Sequence, residues 1–165
     1  TKNISRYFKA EFEKLKEETE TARYFRQRLR MNYIYKGPEL ELLAIKESRK
    51  EKFYDGLNKT IPHEGTITEI GCGYGFASYM LHFTGWKRTV IGIDKDEDKI
   101  DVANNCFSKN EKINIVSADI LNYELPKSDV FLIHEKNLSL TKTEMKILLD
   151  KCNNNLKEKG KVIHI

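Results

Sequence analysis

The residues whose types and spacing could do chemistry begin at Glu69. It sits in a β-branched run, Thr66-Ile67-Thr68-Glu69-Ile70, and is followed by Gly71, Gly73 and Gly75, with Cys72 and Tyr74 between them. Glycines at alternate positions let the backbone take positive φ and leave no Cβ between the turn and a ligand lying against it. A helix beginning at Phe76 would point its free N–H groups and the positive end of its dipole at the same spot. This stretch reads as a cofactor cradle. Asp94 follows about 20 residues beyond the loop, the separation at which a carboxylate can accept hydrogen bonds from both hydroxyls of a ribose. Asp119 supplies a further acid, and His134, Glu135 and Lys136 bring groups able to move a proton or offset a charge.

Such residues need elements to position them. Beyond Ile61-Pro62, short β-branched or apolar runs alternate with helical stretches. The pattern predicts strands at 66–70, 89–93, 113–117, 130–133 and 161–165, with helices at 76–83, 97–108 and 141–156 and only a short turn at 120–125. That alternation implies a mostly parallel sheet with right-handed crossovers, an α/β Rossmann-like three-layer sandwich of strand order 3-2-1-4-5. Each candidate residue then falls at the carboxyl end of a strand, where open α/β sheets bind ligands.

Residues 1–60 read as an N-terminal helical extension or lid, and residues 61–165 as the core. A helix is predicted over 5–30, with Ser5 as its N-cap and Tyr7, Phe8, Phe12, Leu15, Tyr24, Phe25 and Leu29 at near-helical spacing. From Arg23 to Lys36 the chain carries Arg23, Arg26, Arg28, Arg30 and Lys36 without an acid, interleaved with aromatic residues. Basic residues among aromatics suit a nucleic-acid or peripheral membrane contact. An amphipathic helix docking its aromatics on the core is the stronger reading, since long charged stems cover apolar surface. After Gly37 a second helix is expected from Pro38 to about Leu57, with Leu40, Leu43, Ile45, Phe53 and Leu57 buried.

Composition narrows the class. No run approaches the roughly 18 apolar residues of a membrane span, and no secretory signal pattern is visible. Lys and Arg outnumber Asp and Glu by 15 to 10 in residues 1–60 and trail them by 14 to 15 in the remainder, so the net charge of +4 comes from the N-terminal third. Cys72, Cys106 and Cys152 have no metal-type spacing, so no metal is expected and free thiols in a cytoplasmic setting are the default.

At these positions residues 64–165 resemble the class I S-adenosylmethionine-dependent methyltransferases. Glu69-Ile70-Gly71-Cys72-Gly73-Tyr74-Gly75 is similar to the family's acid-x-Gly-x-Gly-x-Gly signature, Asp94 to its ribose-binding acid, and Ala118-Asp119-Ile120 to its adenine-contacting segment. The resemblance implies S-adenosyl-L-methionine as cofactor and S-adenosyl-L-homocysteine as product. It places Glu69 in support of the loop or of the methionine amino group, and Gly71, Cys72, Gly73 and Gly75 under the methionine moiety. Lys95 would lie beside the adenine, with Ala118, Asp119 and Ile120, and His134 would overlook the methyl. The wording at 35–38 and 73–76 also resembles methyltransferase modules that some bacteria carry fused behind a glycerolipid-type acyltransferase. A small-molecule or lipid-like acceptor follows as the expectation.

Two departures from the family matter. Related small-molecule enzymes commonly show Asp-x-Leu-His after strand four, where this chain has Glu135-Lys136-Asn137-Leu138; Glu135 takes the acid position, and His134 is the candidate substitute base, although a lone histidine at a strand end is more often a hydrogen-bonded structural residue. The family's sheet has seven strands, and the text here reaches five, so the core looks shortened after strand five. The amino-directed nucleic-acid motif Asn/Asp-Pro-Pro-aromatic is absent. A cofactor-binding or assembly module that has lost its chemistry, a nucleic-acid methyltransferase and a nicotinamide dehydrogenase stand as alternatives. The last would want glycine at position 76, where Phe stands.

Overall fold

The computed structural model describes residues 22–165, so the helix expected from Ser5 is covered only from Ala22 onward. Five strands, β1 (Glu64–Ile70), β2 (Lys87–Asp94), β3 (Ile113–Ser117), β4 (Ser128–Ile133) and β5 (Leu156–His164), form one sheet of order β3-β2-β1-β4-β5. Every neighbouring pair is parallel, as the alternating pattern requires. The helices are α1 (Ala22–Tyr33), α2 (Pro38–Ser48), α3 (Glu51–Thr60), α4 (Phe76–Thr84), α5 (Glu97–Asn104) and α6 (Lys142–Asn155).

Side chains alternate across a strand, and in a parallel sheet both faces are covered. On one face Ile67, Val90, Val130 and Leu132 pack with Tyr79 and Leu81 of α4 and with Leu29, Tyr33, Tyr54 and Leu57 of α1 and α3. On the other, Ile70, Ile93, Phe131 and Ile133 pack with Leu148 and Cys152 of α6. The helix of this second layer starts on a capping box between Thr141 and Glu144.

The N-terminal helices are fastened to the first face. Tyr33 is fully buried, its ring 4.5 Å from that of Phe76 and its hydroxyl donating to Tyr74 O at 2.7 Å. Tyr35 packs on Phe107 at 4.3 Å, Arg28 lies 4.1 Å over the Phe83 ring, and Arg26 pairs with Glu51. Several aromatic and basic residues of the segment are thus committed to the fold, while Arg30 faces solvent.

Some boundaries differ from expectation. The single helix expected over 38–57 is two, separated at Arg49 and Lys50. The break has no glycine or proline; Ser48 Oγ bonds back to Ile45 O, and Glu47 is drawn outward to Lys50 and to the Tyr54 hydroxyl, local bonds that compete with the helical ladder. Leu43, expected in the core, is 41% exposed. α5 ends four residues early because Tyr35 and Lys36 both donate to Asn105 O and Asn32 accepts from Ser108 N. β5 starts at Leu156, but its regular register begins at Lys161; between them lies an irregular stretch with Lys159 at φ 63°.

Arg88, fully buried on β2, ties α3 and α4 to the first face of the sheet without any carboxylate. Its Nε donates to Pro62 O, one terminal nitrogen to Leu81 O and Thr84 Oγ1, and the other to Ile61 O and Asn58 Oδ1, at 2.7 to 3.0 Å. Burial pushes its pKa down to about 10, which leaves it charged at neutral pH. Gly85 is its necessary neighbour, since a Cβ there would come within 2.6 Å of Arg88 Nε.

Candidate cofactor site

The turn from β1 into α4 is built on three left-handed glycines, Gly71 at φ 78°, Gly73 at φ 53° and Gly75 at φ 77°. Gly71 N and Cys72 N both donate to Ile93 O, at 2.8 and 3.2 Å, which clamps the loop to the end of β2. The glycines serve different needs. A Cβ on Gly71 would meet His134 O and Asn137 Cβ at 3.2 Å, so the β4 loop passes directly over it. A Cβ on Gly73 would meet only Lys99 Cδ, at 3.9 Å, so this part of the loop faces open space. Phe76, at the position a dinucleotide fingerprint gives to glycine, is wedged between the rings of Tyr33 and Tyr74, 4.5 and 5.9 Å away.

Asp94 ends β2 beside this opening. Its Oδ2 accepts from Gly73 N at 2.7 Å and its Oδ1 from Asp96 N at 3.1 Å. The carboxylate fixes the loop and keeps lone pairs for further donors, since each oxygen can accept more than one.

Glu69 is almost fully buried on the α4 side of β1, where Ser78 donates to one carboxylate oxygen and His134 Nε2 lies 2.6 Å from the other. Burial alone would lower the His134 pKa, but the adjacent Glu69 carboxylate outweighs it and raises the pKa above the ordinary value. His134 is carried by β4, its N–H donating to Ile70 O at 2.9 Å. Glu135 is exposed, its carboxylate 3.8 Å from His164.

Past β3, Ala118 N bonds Asp94 O at 2.9 Å. Asp119 turns its carboxylate onto its own loop, accepting from Leu121 N and Asn122 Nδ2. Lys151 of α6 holds that loop from below by donating to the carbonyls of Ile120, Leu121 and Tyr123 at 2.7 to 2.9 Å.

Three cavities run along these strand ends. One of about 330 Å³ is lined by Ile93, Asp94, Ala118, Asp119, Ile120 and Leu138, a largely apolar slot. A second, of about 480 Å³, lies over Cys72, Gly73, Tyr74, Asp94 and Lys99. The third, of about 400 Å³, is lined by Phe53, Glu69, Phe76, His134, Lys136 and Ile165. Lys95 reaches the first two and Cys72 the last two. Asn137 borders all three. Its Nδ2 donates to Gly71 O at 2.7 Å, bridging the β4 loop to the glycine loop where the cavities meet.

The sequence-selected residues Glu69, Gly71, Cys72, Gly73, Asp94, Lys95, Ala118, Asp119, Ile120 and His134 therefore share one continuous edge of the sheet, with Gly75 just behind it as the N-cap of α4. Glu135 is not among the residues lining the three cavities. Asn137 escaped selection, as did Leu138 and Lys151. In the sequence Asn137 is only a departure from a motif, and its role comes from the turn Glu135–Asn137 that aims it back at Gly71. Lys151 gave no sign among the other lysines of its helix.

The family model for a methyltransferase domain matches residues 67–160. Among solved structures, human N-acetylserotonin methyltransferase in complex with SAM superposes with a TM-score of 0.61 and 15% identity, over 81% of this chain and 39% of that one. The PH0226 protein of Pyrococcus horikoshii OT3 gives 0.61 at 22% identity, over 73% and 57% of the two chains. The glycopeptide N-methyltransferase MtfA, complexed with S-adenosyl-L-homocysteine, gives 0.59 at 15% identity, over 68% and 50%. At these identities the likeness is one of fold, and the chain spans between 39% and 57% of these three proteins. No curated protein matches it in sequence.

Proposed function

The chain belongs to the methyltransferase-domain family, and from that premise we propose that it binds S-adenosyl-L-methionine along the three cavities and transfers the methyl to a small-molecule acceptor, leaving S-adenosyl-L-homocysteine. The observation that carries this reading is Asp94 beside the open left-handed glycine loop, at the joint between an apolar slot and a polar cavity. That arrangement suits an adenosyl group held by its ribose. Two of the superposing proteins are complexes with this cofactor or its product.

When bound, the cofactor supplies a methyl already activated on a sulfonium, so the protein's own task is positioning. Ile93, Ala118, Ile120 and Leu138 offer the apolar walls for the adenine. Asp94 accepts from the ribose, and Gly73 leaves the loop open to the amino-acid end. Asp119, with its carboxylate on its own turn, shapes the adenine loop.

The third cavity is the place for the acceptor. Glu69 takes His134 Nε2, leaving Nδ1 as the ring nitrogen to receive a proton from an acceptor that must lose one. Phe53 on α3 and Phe76 on α4 form walls of that cavity, which supports a lid role for the described part of the N-terminal extension. Among the described residues no helix is long and apolar enough to cross a membrane. We propose a cytoplasmic setting, in keeping with free thiols at Cys72, Cys106 and Cys152.

Isothermal titration tests the reading. S-adenosylhomocysteine should bind saturably and NAD should not. Saturable NAD binding with no response to S-adenosylhomocysteine would overturn it in favour of a dehydrogenase.

A further inference from the structure

The charges around the third cavity nearly cancel in pairs. Lys50 meets Glu47 at 2.8 Å, and His134 meets Glu69 at 2.6 Å. Lys136, which borders both the second and the third cavity, has no hydrogen-bond or ion-pair partner among the described residues. The carboxylate next to it in sequence, Glu135, is turned toward His164 instead.

The backbone that carries Lys136 is fixed. Glu135 N donates to Ile165 O at 3.2 Å, Asn137 N to His134 O at 3.0 Å and Leu138 N to Glu135 O at 3.0 Å, while the Asn137 side chain holds Gly71 O. The turn is thus pinned to the end of β5 on one side and to the glycine loop on the other. An ammonium presented from a fixed turn, in a cavity whose other charges are matched, is a site for one negative group. Apolar side chains of Phe53, Phe76 and Ile165 line the same space and exclude part of the water that would otherwise screen the charge.

We propose that Lys136 is the seat of a ligand carboxylate where the second and third cavities meet. This rests on the cofactor reading above. The carboxylate has two possible sources, the amino-acid end of the cofactor or an anionic substituent on the acceptor, and the chemistry at Lys136 is the same for both.

The experiment separates the sources. Titrate wild type, Lys136→Met and Lys136→Arg with S-adenosylhomocysteine and with 5′-methylthioadenosine, which keeps the adenosyl group and lacks the amino-acid end. Then titrate each protein, saturated with S-adenosylhomocysteine, with 4-hydroxybenzoate and with neutral 4-hydroxybenzamide. If the cofactor is the source, Lys136→Met weakens S-adenosylhomocysteine about tenfold, leaves methylthioadenosine unchanged, and Lys136→Arg restores affinity. If the acceptor is the source, Lys136→Met leaves both nucleosides unchanged and abolishes a preference for benzoate over benzamide. Lys136→Met indistinguishable from wild type in every titration overturns the proposal while leaving the cofactor reading standing. A wild-type protein that binds neither nucleoside overturns both. Lys136 is exposed, so the melting temperature of the variants should match wild type and exclude misfolding as the cause.

Discussion

Asp94→Ala is the most informative substitution, because the carboxylate has two separable jobs. In the structure it holds Gly73 N at 2.7 Å and Asp96 N at 3.1 Å, and in the proposed complex it also accepts from ribose hydroxyls. Losing the ligand bonds should cost about 1 to 3 kcal/mol, an S-adenosylhomocysteine affinity about 5- to 150-fold weaker. Losing the loop bonds should cost the free protein about 1 kcal/mol, since the loop is half-buried and water replaces part of what is lost. Asp94→Asn separates the jobs, keeping one oxygen for Gly73 N while removing the charge and the second acceptor. Its melting temperature should stay near wild type, yet its affinity should fall as in the alanine variant. Titration calorimetry paired with thermal melting of the free proteins reads both quantities. An Asp94→Ala protein that binds within about twofold of wild type removes Asp94 from the site. Equal melting losses in the two variants would show that the oxygen does not hold the loop.

The raised His134 pKa makes the Glu69 pair pH-dependent. A histidine whose folded pKa exceeds its unfolded value contributes stability that is fully present below about pH 6.5 and lost as pH rises through the folded pKa. The melting-temperature gap between wild type and His134→Gln should therefore be widest at acid pH and narrow toward pH 9; a gap that is constant or grows with pH contradicts the pairing. Arg88→Met would strand five oxygens that the guanidinium now serves and should cost about 3 kcal/mol or more in urea unfolding. Arg88→Lys, with three donors, should recover only part of it; a Met variant as stable as wild type would mean the oxygens find water. Lys151→Met should loosen the Ile120–Tyr123 loop and weaken S-adenosylhomocysteine and methylthioadenosine equally, because both carry the adenine; selective loss of one would refute an adenine-side effect.

The sequence made the sheet legible because its signals are local. Strands buried on both faces are near-continuous apolar runs, and Gly71, Gly73 and Gly75 announce a turn that only glycine builds cheaply. Asp94 and His134 could be brought to one edge of the sheet because a parallel sheet lines up the ends of its strands. What stayed hidden depends on contacts distant in sequence. Nothing near Asn105 says that Tyr35 and Lys36 will capture its carbonyl and end α5 early. Nothing near Arg88 in sequence says that the carbonyls of Ile61, Pro62 and Leu81 will converge on it.

Asn137 illustrates how the same limit bears on function. Measured against an Asp-x-Leu-His run, the stretch Glu135-Lys136-Asn137-Leu138 reads as a motif lost. The fold gives it a different use: a tight turn brings the Asn137 amide onto Gly71 O, so the β4 loop and the glycine loop behave as one wall. The close fit at Gly71, where a Cβ would meet both His134 O and Asn137 Cβ at 3.2 Å, then becomes a requirement of that wall as well as of the turn. The groups that face the third cavity follow from the same bridge. His134 precedes the turn and is locked to Glu69, and Lys136 projects from it with its charge unspent. On the proposed function, the departure from the family pattern relocates the polar groups that an acceptor would meet without emptying the cavity. The test that separates an active enzyme from a lost one is therefore substitution of those two side chains rather than of the cofactor loop.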